Sequence, residues 1–290
     1  MLNINRQILM SDAHHFGVNQ HINPYYYSPT VDRNKAQQEH HAVHQMLLKA
    51  GVKVIQVPSP PDCQDGVYTA NWGLVRGDKV VLSNLPSPRA EEQPYAEKVL
   101  RQLGKQIIHV PNNLKFSGQG DALACGDWLF CGSGYRSDPE AQSFAAEALN
   151  YDIIQLHTVP QLDSSGNQII NKATGWPDSF FYDLDLALAV IKAPDNKQSG
   201  LIAYCPDAFD LISKQKLENL PIDKIIVSET EAKKAFATNL VSTGKTVVMG
   251  AECPELANNL KSHGLEVLQP SITELAKGGG YIRCITLTLD

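Results

Sequence analysis

A thiol and a pair of carboxylates stand in apolar stretches of this sequence, and they are the groups best suited to carry chemistry. Cys284 follows the glycine run 278–280 and precedes residues 285–289, whose alternating apolar pattern predicts a strand. A thiol where a loop meets a strand can face a pocket, and its thiolate can act there as a nucleophile. The alternative is structural, because free cysteines are often buried as small apolar residues.

The carboxylates are those of Asp183 and Asp185, which lie two residues apart in the apolar stretch 181–188. This stretch predicts a strand on which both side chains point to one face. Two ionised carboxylates on a half-buried face are unfavourable unless a cation lies between them or a pKa rises. The sequence has no set of His ligands at zinc spacing. A guanidinium or amidinium ligand therefore fits the pair better than a metal ion, and no cofactor is expected.

Two arginines in loops can bind the other end of such a ligand. Arg89 follows the loop 86–88, and Arg136 lies in the glycine-bounded loop 132–138. Two guanidinium groups suit bidentate binding of a carboxylate. The alternative is that both side chains are solvated surface charges, because most arginines are exposed.

Three further polar residues interrupt apolar stretches or turns. Asn71 stands in the apolar stretch 67–75, and a buried Asn needs hydrogen-bond partners from the local structure or from a ligand. Asn23 precedes Pro24, which holds it extended, so its amide either caps a turn or faces a ligand. Asp121 follows a glycine-flanked turn, which is a weak signal on its own.

One order of elements (strand, strand, helix, strand) recurs five times along the chain. The helices of these repeats are predicted at residues 31–49, 91–103, 139–149, 207–217 and 253–263, and a short apolar strand follows each of them. Repeats that bury their apolar faces against one another favour a closed array, here a ring of five ββαβ blades around a central funnel. We therefore expect an α/β fold in a single domain spanning residues 1–290.

The sequence also gives more specific predictions for two strands, two histidines and one loop of the repeats. The apolar segments 66–70 and 181–191 predict first strands of two blades. His109 and His157 lie in strands that follow a helix and are interpreted as core side chains. Residues 161–179 are long, irregular and polar, which is typical of an inserted loop or lid.

Composition limits the class of protein. The chain has 290 residues, of which 43% are hydrophobic and 19% charged, so it can bury an ordinary globular core. Its net charge of −6 argues against nucleic acid as a partner. No apolar run is long enough to cross a membrane, and the N-terminus lacks the apolar segment of a signal peptide. The six cysteines form no CxxC pair, so we expect no zinc site, no disulfide framework and a cytoplasmic location.

Together the motifs resemble those of the guanidino-group-modifying, or pentein, superfamily, and in particular its arginine dihydrolase and dimethylargininase-like branch. The matching stretches follow the family's order and span almost the whole chain, at residues 8–25, 67–71, 118–123, 134–138, 181–185, 204–209 and 278–284. The resemblance implies the five-bladed α/β propeller of the pentein fold and a small-molecule guanidino substrate. A homodimer is left open.

The resemblance also implies a role for each candidate residue. Cys284 matches the nucleophile that attacks the guanidinium carbon and forms a covalent, thiouronium-type intermediate. Asp185 matches an acid that holds the guanidinium. The other positions implied to bind the substrate are Asn71, Asp121, Arg89, Arg136 and Asn23, of which the two arginines match residues that bind the substrate's carboxylate.

Two positions depart from the family's pattern. The family's general acid/base histidine falls on Asp183, and its partner glutamate falls on Ser117. The reaction needs a group that protonates the departing amine, and loss of such a group typically costs about 10²–10⁴ in rate. A carboxylate near Cys284 also raises the pKa of the thiol, which is ordinarily about 8.5. Asp183 can take over proton transfer if burial and Asp185 raise its pKa.

Three functions are compatible with these residues. The first is a hydrolase or amidinotransferase that acts on the guanidino group of an arginine-like molecule through Cys284, with Asp183 and Ser117 in the altered catalytic positions. The second is a catalytically inactive relative that binds an arginine-like ligand. The third is a structural or interaction protein, in which side chains fill the site and Cys284 is inert.

Overall fold

The computed structural model describes residues 4–26, 28, 30–196 and 198–290. These residues form fifteen strands, β1 to β15. In chain order the strands are Gln7–Ser11, Lys53–Val57, Gly73–Arg76, Lys79–Leu82, Gln106–His109, Ala122–Cys125, Trp128–Ser133, Asp152–His157, Leu188–Lys192, Leu201–Tyr204, Asp223–Ile226, Val241–Ser242, Thr246–Val248, Glu266–Leu268 and Leu287–Thr288. The six α-helices of the same residues, α1 to α6, are Arg33–Lys49, Glu92–Gln102, Pro139–Leu149, Leu211–Asn219, Glu229–Ala235 and Pro254–Ser262.

Local capping signals determine where several helices begin. The Asp32 side chain accepts a hydrogen bond from the Lys35 amide at the start of α1, and Asp210 accepts one from the Ser213 amide at the start of α4. Such an oxygen satisfies an amide that the first helical turn leaves unpaired. Pro139 opens α3, where the missing N–H of proline has no partner to lose. Within the described ranges, no helix is long and apolar enough to span a membrane.

The strands form five three-stranded sheets, and four of them come from consecutive parts of the chain. In each of these four, the first two strands pair antiparallel, and the third strand pairs parallel with the second after a helix has intervened. The four sheets are β3–β4–β5, β6–β7–β8, β9–β10–β11 and β12–β13–β14. Only α5, between β11 and β12, lies outside this ββαβ pattern among the described helices.

The fifth sheet joins the two ends of the described chain. β15 pairs antiparallel with β1, with Leu9 opposite Leu287, and β1 pairs parallel with β2 after α1. Arg6 Nε also lies 2.8 Å from Asp290 Oδ2. The predicted five-bladed α/β propeller is confirmed, and its last blade combines the first and last strands.

The prediction of a strand at residues 66–70 was wrong. β3 begins later, at Gly73, and Thr69–Trp72 is a 3₁₀ turn whose four residues are all buried. Asn71 therefore lies in a turn just before β3 and not within a strand. An apolar pattern alone does not distinguish a buried turn from a buried strand.

The same correction applies to the stretch that carries the two aspartates. Residues 181–191 do not form one strand, because Leu184–Leu186 is a 3₁₀ turn and β9 begins at Leu188. Asp185 therefore lies in a turn just before β9, and Asp183 directly precedes this turn. Their proximity comes from this turn and not from the alternation of side chains along a strand.

His109 and His157 are exposed, so their interpretation as core histidines was wrong. The His109 side chain is 59% exposed, and its Nε2 lies 3.7 Å from Glu97 Oε2. Both histidines end the third strand of a blade, β5 or β8, and these strands lie at the edges of their sheets. Side chains alternate across a strand, so an edge strand buries only part of them.

Residues 161–179, predicted as an inserted loop or lid, contain only isolated β-bridges. The segment packs against the N-terminal loop through the amide of Asn171, which donates to the His21 carbonyl at 3.2 Å. Just after it, the Phe180 carbonyl accepts a hydrogen bond from the Tyr25 hydroxyl at 2.9 Å.

Candidate active site

Cys284 lies in the turn that precedes β15 and is 2% exposed. Its Sγ is 3.3 Å from Asp185 Oδ2 and 3.1 Å from Asn239 Nδ2. Burial, and then the charges of Asp185 and Asp183, raise the pKa of the thiol well above its ordinary value. The thiol is therefore protonated at neutral pH unless a bound cation offsets the nearby carboxylates.

Asn239 fixes both the thiol and the turn that carries it. Its Oδ1 accepts hydrogen bonds from the amides of Tyr281 and Cys284, each at 3.1 Å. Because backbone amides only donate, these two bonds require Oδ1 on that side and direct Nδ2 to the sulfur. Asn239 has no exposed surface, so this orientation is held by packing as well.

Three buried aspartates form an acidic cluster beside the thiol. Asp121, Asp183 and Asp185 are at most 2% exposed. Each has one carboxylate oxygen that is buried without a hydrogen-bond partner among the described residues. Burial, followed by the charge of Asp183, raises the pKa of Asp121 and of Asp185 well above the ordinary value. A cation with several N–H donors is the ligand that such oxygens bind best.

The described side chains do not favour a metal in this cluster, because no group of three or more His, Cys, Asp or Glu residues among them has the geometry to hold a metal ion. A planar guanidinium differs from a metal ion because it spreads one positive charge over several N–H donors, five in the arginine side chain. The unpaired oxygens of the cluster are suited to a guanidinium, and binding of one by Asp183 and Asp185 stays a prediction.

Asn71 and Ser117 contact Asp183. Asn71 Nδ2 donates to Asp183 Oδ2 at 2.8 Å and to Ser117 Oγ at 2.9 Å. Burial raises the pKa of Asp183, while the Arg136 charge and the Asn71 hydrogen bond oppose this shift. A Cβ at Gly120 would lie 2.4 Å from Asn71 Nδ2, so only glycine allows the glycine-flanked turn to approach these two side chains.

Arg89 is buried, so it is not a solvated surface charge. Its Nε and Nη2 each donate to Glu92 at 2.7 Å, and its Nη1 donates to Asn71 Oδ1 at 2.8 Å. Burial alone would lower the pKa of Arg89, but the charge and hydrogen bonds of Glu92 raise it. The bond from Arg89 fixes the side of the Asn71 amide that faces Asp183. Contact between Arg89 and a ligand carboxylate stays a prediction.

Arg136 is also buried, but it lies next to the acidic cluster. Its guanidinium carbon is 4.7 Å from the centre of the Tyr182 ring, and its Nη2 donates to the Ile22 carbonyl. Its charge lowers the pKa of Asp183 against the larger effect of burial. Contact between Arg136 and a ligand carboxylate stays a prediction.

Asn23 joins the N-terminal loop to the glycine run. Its Nδ2 donates to the Gly278 carbonyl at 3.0 Å, and its Oδ1 accepts from the Tyr25 amide at 2.9 Å. The side chain thus caps the local turn and also bonds to the glycine run, while contact between Asn23 and a ligand stays a prediction. Gly279 has φ +85°, and a Cβ there would lie 2.4 Å from Asn23 Oδ1. The Tyr182 hydroxyl donates to the Gly279 carbonyl from the other side at 2.8 Å.

The sequence matches a described family over more than half of its length. A profile of N,N dimethylarginine dimethylhydrolase, eukaryotic, matches residues 13–171. The N(G),N(G)-dimethylarginine dimethylaminohydrolase of Mycobacterium tuberculosis is 30% identical over 289 residues, which cover 98% of this chain and 86% of that protein. The chain belongs to the dimethylarginine dimethylaminohydrolase family.

Two cyanobacterial proteins are similar to this member of the family. The bifunctional arginine dihydrolase/ornithine cyclodeaminase of Nostoc sp. is 30% identical over 288 residues, which cover 97% of this chain. The chain spans only 37% of the length of that relative. The crystal structure of the N-terminal domain of the cyanobacterial arginine dihydrolase ArgZ has a TM-score of 0.85 and 29% identity, and covers 97% of both chains.

A dimethylarginine dimethylaminohydrolase from Pseudomonas aeruginosa has the same fold, with a TM-score of 0.75 and 16% identity over 99% of both chains. These comparisons place the chain in the pentein superfamily of guanidino-modifying proteins, as its motifs indicated. The related proteins are named for hydrolysis of C–N bonds in arginine or dimethylarginine.

The structure brings most of the predicted site residues of this family member together. The residues that surround one another are Asn71, Ser117, Asp121, Asp183, Asp185 and Cys284, with Arg136 beside them. Arg89 lies behind Asn71, and Asn23 lies on the glycine run. Their catalytic and binding roles stay predictions.

Sequence reasoning missed Asn239 and Glu92. A signal for Asn239 existed, since it is a polar residue within the apolar stretch 235–241, as Asn71 is within its own stretch. Glu92 stands three residues after Arg89, which is the spacing at which helical side chains meet. Neither signal shows by itself that the residue faces Cys284 or its neighbours.

Proposed function

We propose that this chain is a hydrolase that acts on the guanidino group of an arginine-like small molecule through a covalent intermediate on Cys284. The observation that carries the proposal is the 3.3 Å contact between Cys284 Sγ and Asp185, within a cluster of aspartates that have unpaired oxygens. A guanidinium bound to these oxygens has its carbon next to the sulfur, which is the proximity that attack requires. The names of the relatives support the same substrate class.

In the first step the bound guanidinium offsets the charges of Asp183 and Asp185, which lowers the pKa of the Cys284 thiol. The thiol gives up its proton to a carboxylate of the cluster, the sulfur attacks the guanidino carbon, and the C–N bond to the departing amine breaks with its electron pair on nitrogen. The amine leaves after it has taken up one proton, so that the thiol and the guanidinium give a thiouronium cation and a neutral amine. Burial raises the pKa of Asp183, so this side chain can hold the proton that the amine needs.

In the second step a water molecule attacks the same carbon and releases Cys284. If an amine takes the place of water, the product is a new guanidine, and the activity is that of an amidinotransferase. A crystal structure of an ArgZ domain variant contains a covalently bound reaction intermediate, which supports covalent chemistry in a related protein.

A second candidate is a relative that binds an arginine-like ligand without turning it over. The observation in its favour is the electrostatics of Cys284, whose pKa is raised by burial and by two carboxylates. By the resemblance, Asp183 and Ser117 stand where the family has its acid/base histidine and partner glutamate. A site of this kind holds a cation well but lacks the positive group that would activate the thiol.

Intact-protein mass spectrometry distinguishes the two candidates. The wild-type protein and Cys284→Ala are mixed with arginine, dimethylarginine, agmatine, guanidinoacetate and chloroacetamidine, and the thermal midpoint Tm is measured with each compound. The proposed hydrolase gives an adduct in the wild-type protein alone, together with turnover of at least one compound.

The other outcomes separate the remaining candidates. No adduct, with a ligand-induced rise in Tm in both proteins, supports the binding protein, because a ligand that prefers the folded state stabilises it. No adduct and no rise in Tm contradict both candidates and leave a structural or interaction protein.

A further inference from the structure

A cavity of about 270 Å³ lies away from Cys284, at the far ends of the first strands of several blades. β3 begins just after Asn71, in the candidate active site, and ends at Arg76, which lines the cavity. β6 begins just after Asp121 and ends before Gly126, which also lines it. β3 and β6 thus run from the candidate active site to this cavity, which we call the rear cavity.

The inner end of the rear cavity lies one residue behind the thiol. Thr238 lines the cavity, and its neighbour Asn239 contacts Cys284 Sγ. Arg283 lines the cavity, and its neighbour is Cys284 itself. Asp185 takes part in both places, because it lines the cavity and its Oδ2 lies 3.3 Å from the sulfur. Three separate chain segments therefore link the cavity to the nucleophile.

Two polar atoms at this inner end are unsatisfied by protein. The Thr238 hydroxyl and Asp185 Oδ1 are buried and have no hydrogen-bond partner in the described part of the chain. Thr238 and Asp185 are each 1% exposed. Buried polar groups of this kind ordinarily bind water, which occupies about 30 Å³ in the liquid. The rear cavity has room for several such molecules.

The walls and the floor of the rear cavity differ in character. Apolar side chains form much of the wall, among them Leu74 on β3, Leu123 on β6, Leu188 on β9 and Leu240 just before β12. The floor is polar: Arg283 donates to Gln119 Oε1 at 2.9 Å, and both residues line the cavity. A buried water molecule needs polar partners, and the polar floor of the rear cavity offers them beside the Thr238 hydroxyl and Asp185 Oδ1.

Access to the sulfur from the other side is restricted. Cys284 is 2% exposed, and Asn23 and Tyr182 hold the glycine run that precedes it. A guanidino substrate bound at Cys284 must itself lie on that side of the sulfur, if it enters there. The hydrolytic step nevertheless needs a water molecule at the guanidino carbon after the amine has left.

We propose that the rear cavity delivers the water that hydrolyses the covalent adduct, and that Thr238 and Asp185 hold this water next to Cys284 Sγ after the amine has left and Asp185 Oδ1 no longer binds the intact guanidinium. The inference rests on the proposed function. In the step, the water oxygen bonds to the carbon of the thiouronium cation, and the C–S bond breaks with its electron pair on sulfur. One water proton goes to the sulfur and the other to an aspartate carboxylate, which leaves a neutral urea group on the product.

The test blocks the mouth of the rear cavity at a distance from the thiol. Ala124 on β6 is exposed and lines the cavity, so Ala124→Trp narrows it. The matched control is Ala173→Trp, at an exposed position in the segment 161–179. The substrate is whichever of arginine, dimethylarginine, agmatine and guanidinoacetate the wild-type protein turns over, and rapid-quench mass spectrometry follows the adduct.

In Ala124→Trp we expect the adduct to form at the wild-type rate and to decay at least about tenfold more slowly, so that it accumulates and kcat falls. Ala173→Trp behaves as the wild type. Thr238→Val, which removes only the hydroxyl, slows decay in the same direction and serves if the Trp variant does not fold. Wild-type decay in a folded Ala124→Trp and in Thr238→Val overturns this inference alone. Absence of turnover and adduct in the wild-type protein overturns the proposed function, and this inference with it.

Discussion

Asn239 Nδ2 lies 3.1 Å from Cys284 Sγ, and the Oδ1 atom of the same amide accepts the backbone N–H of Cys284. One side chain thus fixes the position of the nucleophile's backbone and places an N–H donor on its sulfur. Asp185 contacts the same sulfur with an acceptor. The two neighbours act in opposite directions on the thiolate, since a donor stabilises its charge and a carboxylate destabilises it.

Replacement of Asn239 by Asp should make Cys284 less reactive. Asn239→Asp keeps the oxygen that accepts the two amides but replaces the donor by a second carboxylate oxygen. Each unit by which the pKa of the thiol rises reduces the thiolate fraction about tenfold at neutral pH. We expect iodoacetamide to alkylate Cys284 at least about tenfold more slowly at pH 7.5, as measured by peptide mass mapping.

The control is Asn259→Asp, at an exposed position of α6. It adds the same charge far from the thiol and should leave the alkylation rate unchanged. A rate in Asn239→Asp equal to that of the control would mean that the amide does not influence the sulfur.

Glu92→Gln should destabilise the protein strongly. The carboxylate is 1% exposed and pairs with Arg89, so its neutralisation leaves a buried guanidinium without its countercharge. Breaking a buried pair from one side typically costs about 3–5 kcal/mol. Urea unfolding measures this loss of free energy.

The same helix offers a matched control. Glu97 pairs with Arg101, whose side chain is 56% exposed. Exposed pairs at this spacing contribute about 0.3–0.5 kcal/mol, so Glu97→Gln should cost little. Equal costs for the two variants would show that the buried pair is not what holds Asn71 and its surroundings.

Asp183→Asn should change how stability depends on pH. Burial raises the pKa of Asp183 in the folded protein above that of the unfolded chain, about 3.9. The folded state then binds this proton more tightly, and stability falls as pH rises through the folded pKa. Without the carboxyl, this loss disappears, and the repulsion of Asp121 and Asp185 weakens.

We therefore expect the Tm of Asp183→Asn to fall less than that of the wild type as pH rises above the unfolded pKa of about 3.9, with a gain of at least about 3 °C at alkaline pH. Asp152→Asn, at an exposed position of β8, controls for the loss of one acid. Parallel Tm curves for the wild type and Asp183→Asn would contradict a charged, repelled carboxylate at this position.

Restoring the family's residues should raise activity. Asp183→His with Ser117→Glu supplies an acid/base group whose positive form also favours the thiolate of Cys284. The expected gain in turnover of the best guanidino substrate is about 10²–10⁴-fold, measured by product formation. The same double variant with Cys284→Ala should stay inactive. A folded double variant without any gain would mean that proton transfer does not limit this site.

The fold could be predicted because each blade has a recognisable pattern within a short stretch of the sequence. A helix followed by a short apolar strand has a clear periodicity, and it recurs at every blade. The residues at which β3 and β9 begin could not be predicted in the same way. Around Asn71 and Asp185 the chain makes buried 3₁₀ turns, whose apolar residues look like strand residues.

The candidate site could be predicted in its members but not in its contacts. The bond from Asn239 to Cys284 joins distant parts of the chain, and no spacing in the sequence indicates it. Arg89 and Glu92 have the spacing of helical neighbours, but this spacing does not show that the pair is buried beside Asn71. His109 was misplaced because an apolar strand at a sheet edge still exposes part of its residues. The single domain over residues 1–290, the cytoplasmic location, the homodimer and the roles of the site residues stay predictions.

The pairing of β15 with β1 has a consequence for the order of events during synthesis. Asp121, Asp185 and Asn239 leave the ribosome before Cys284 does, within blades that can form early. The sulfur joins them only when the closing strand finds β1. Cys284 and the strand that closes the ring therefore lie in the same few residues, and a chain cut before residue 284 loses both together.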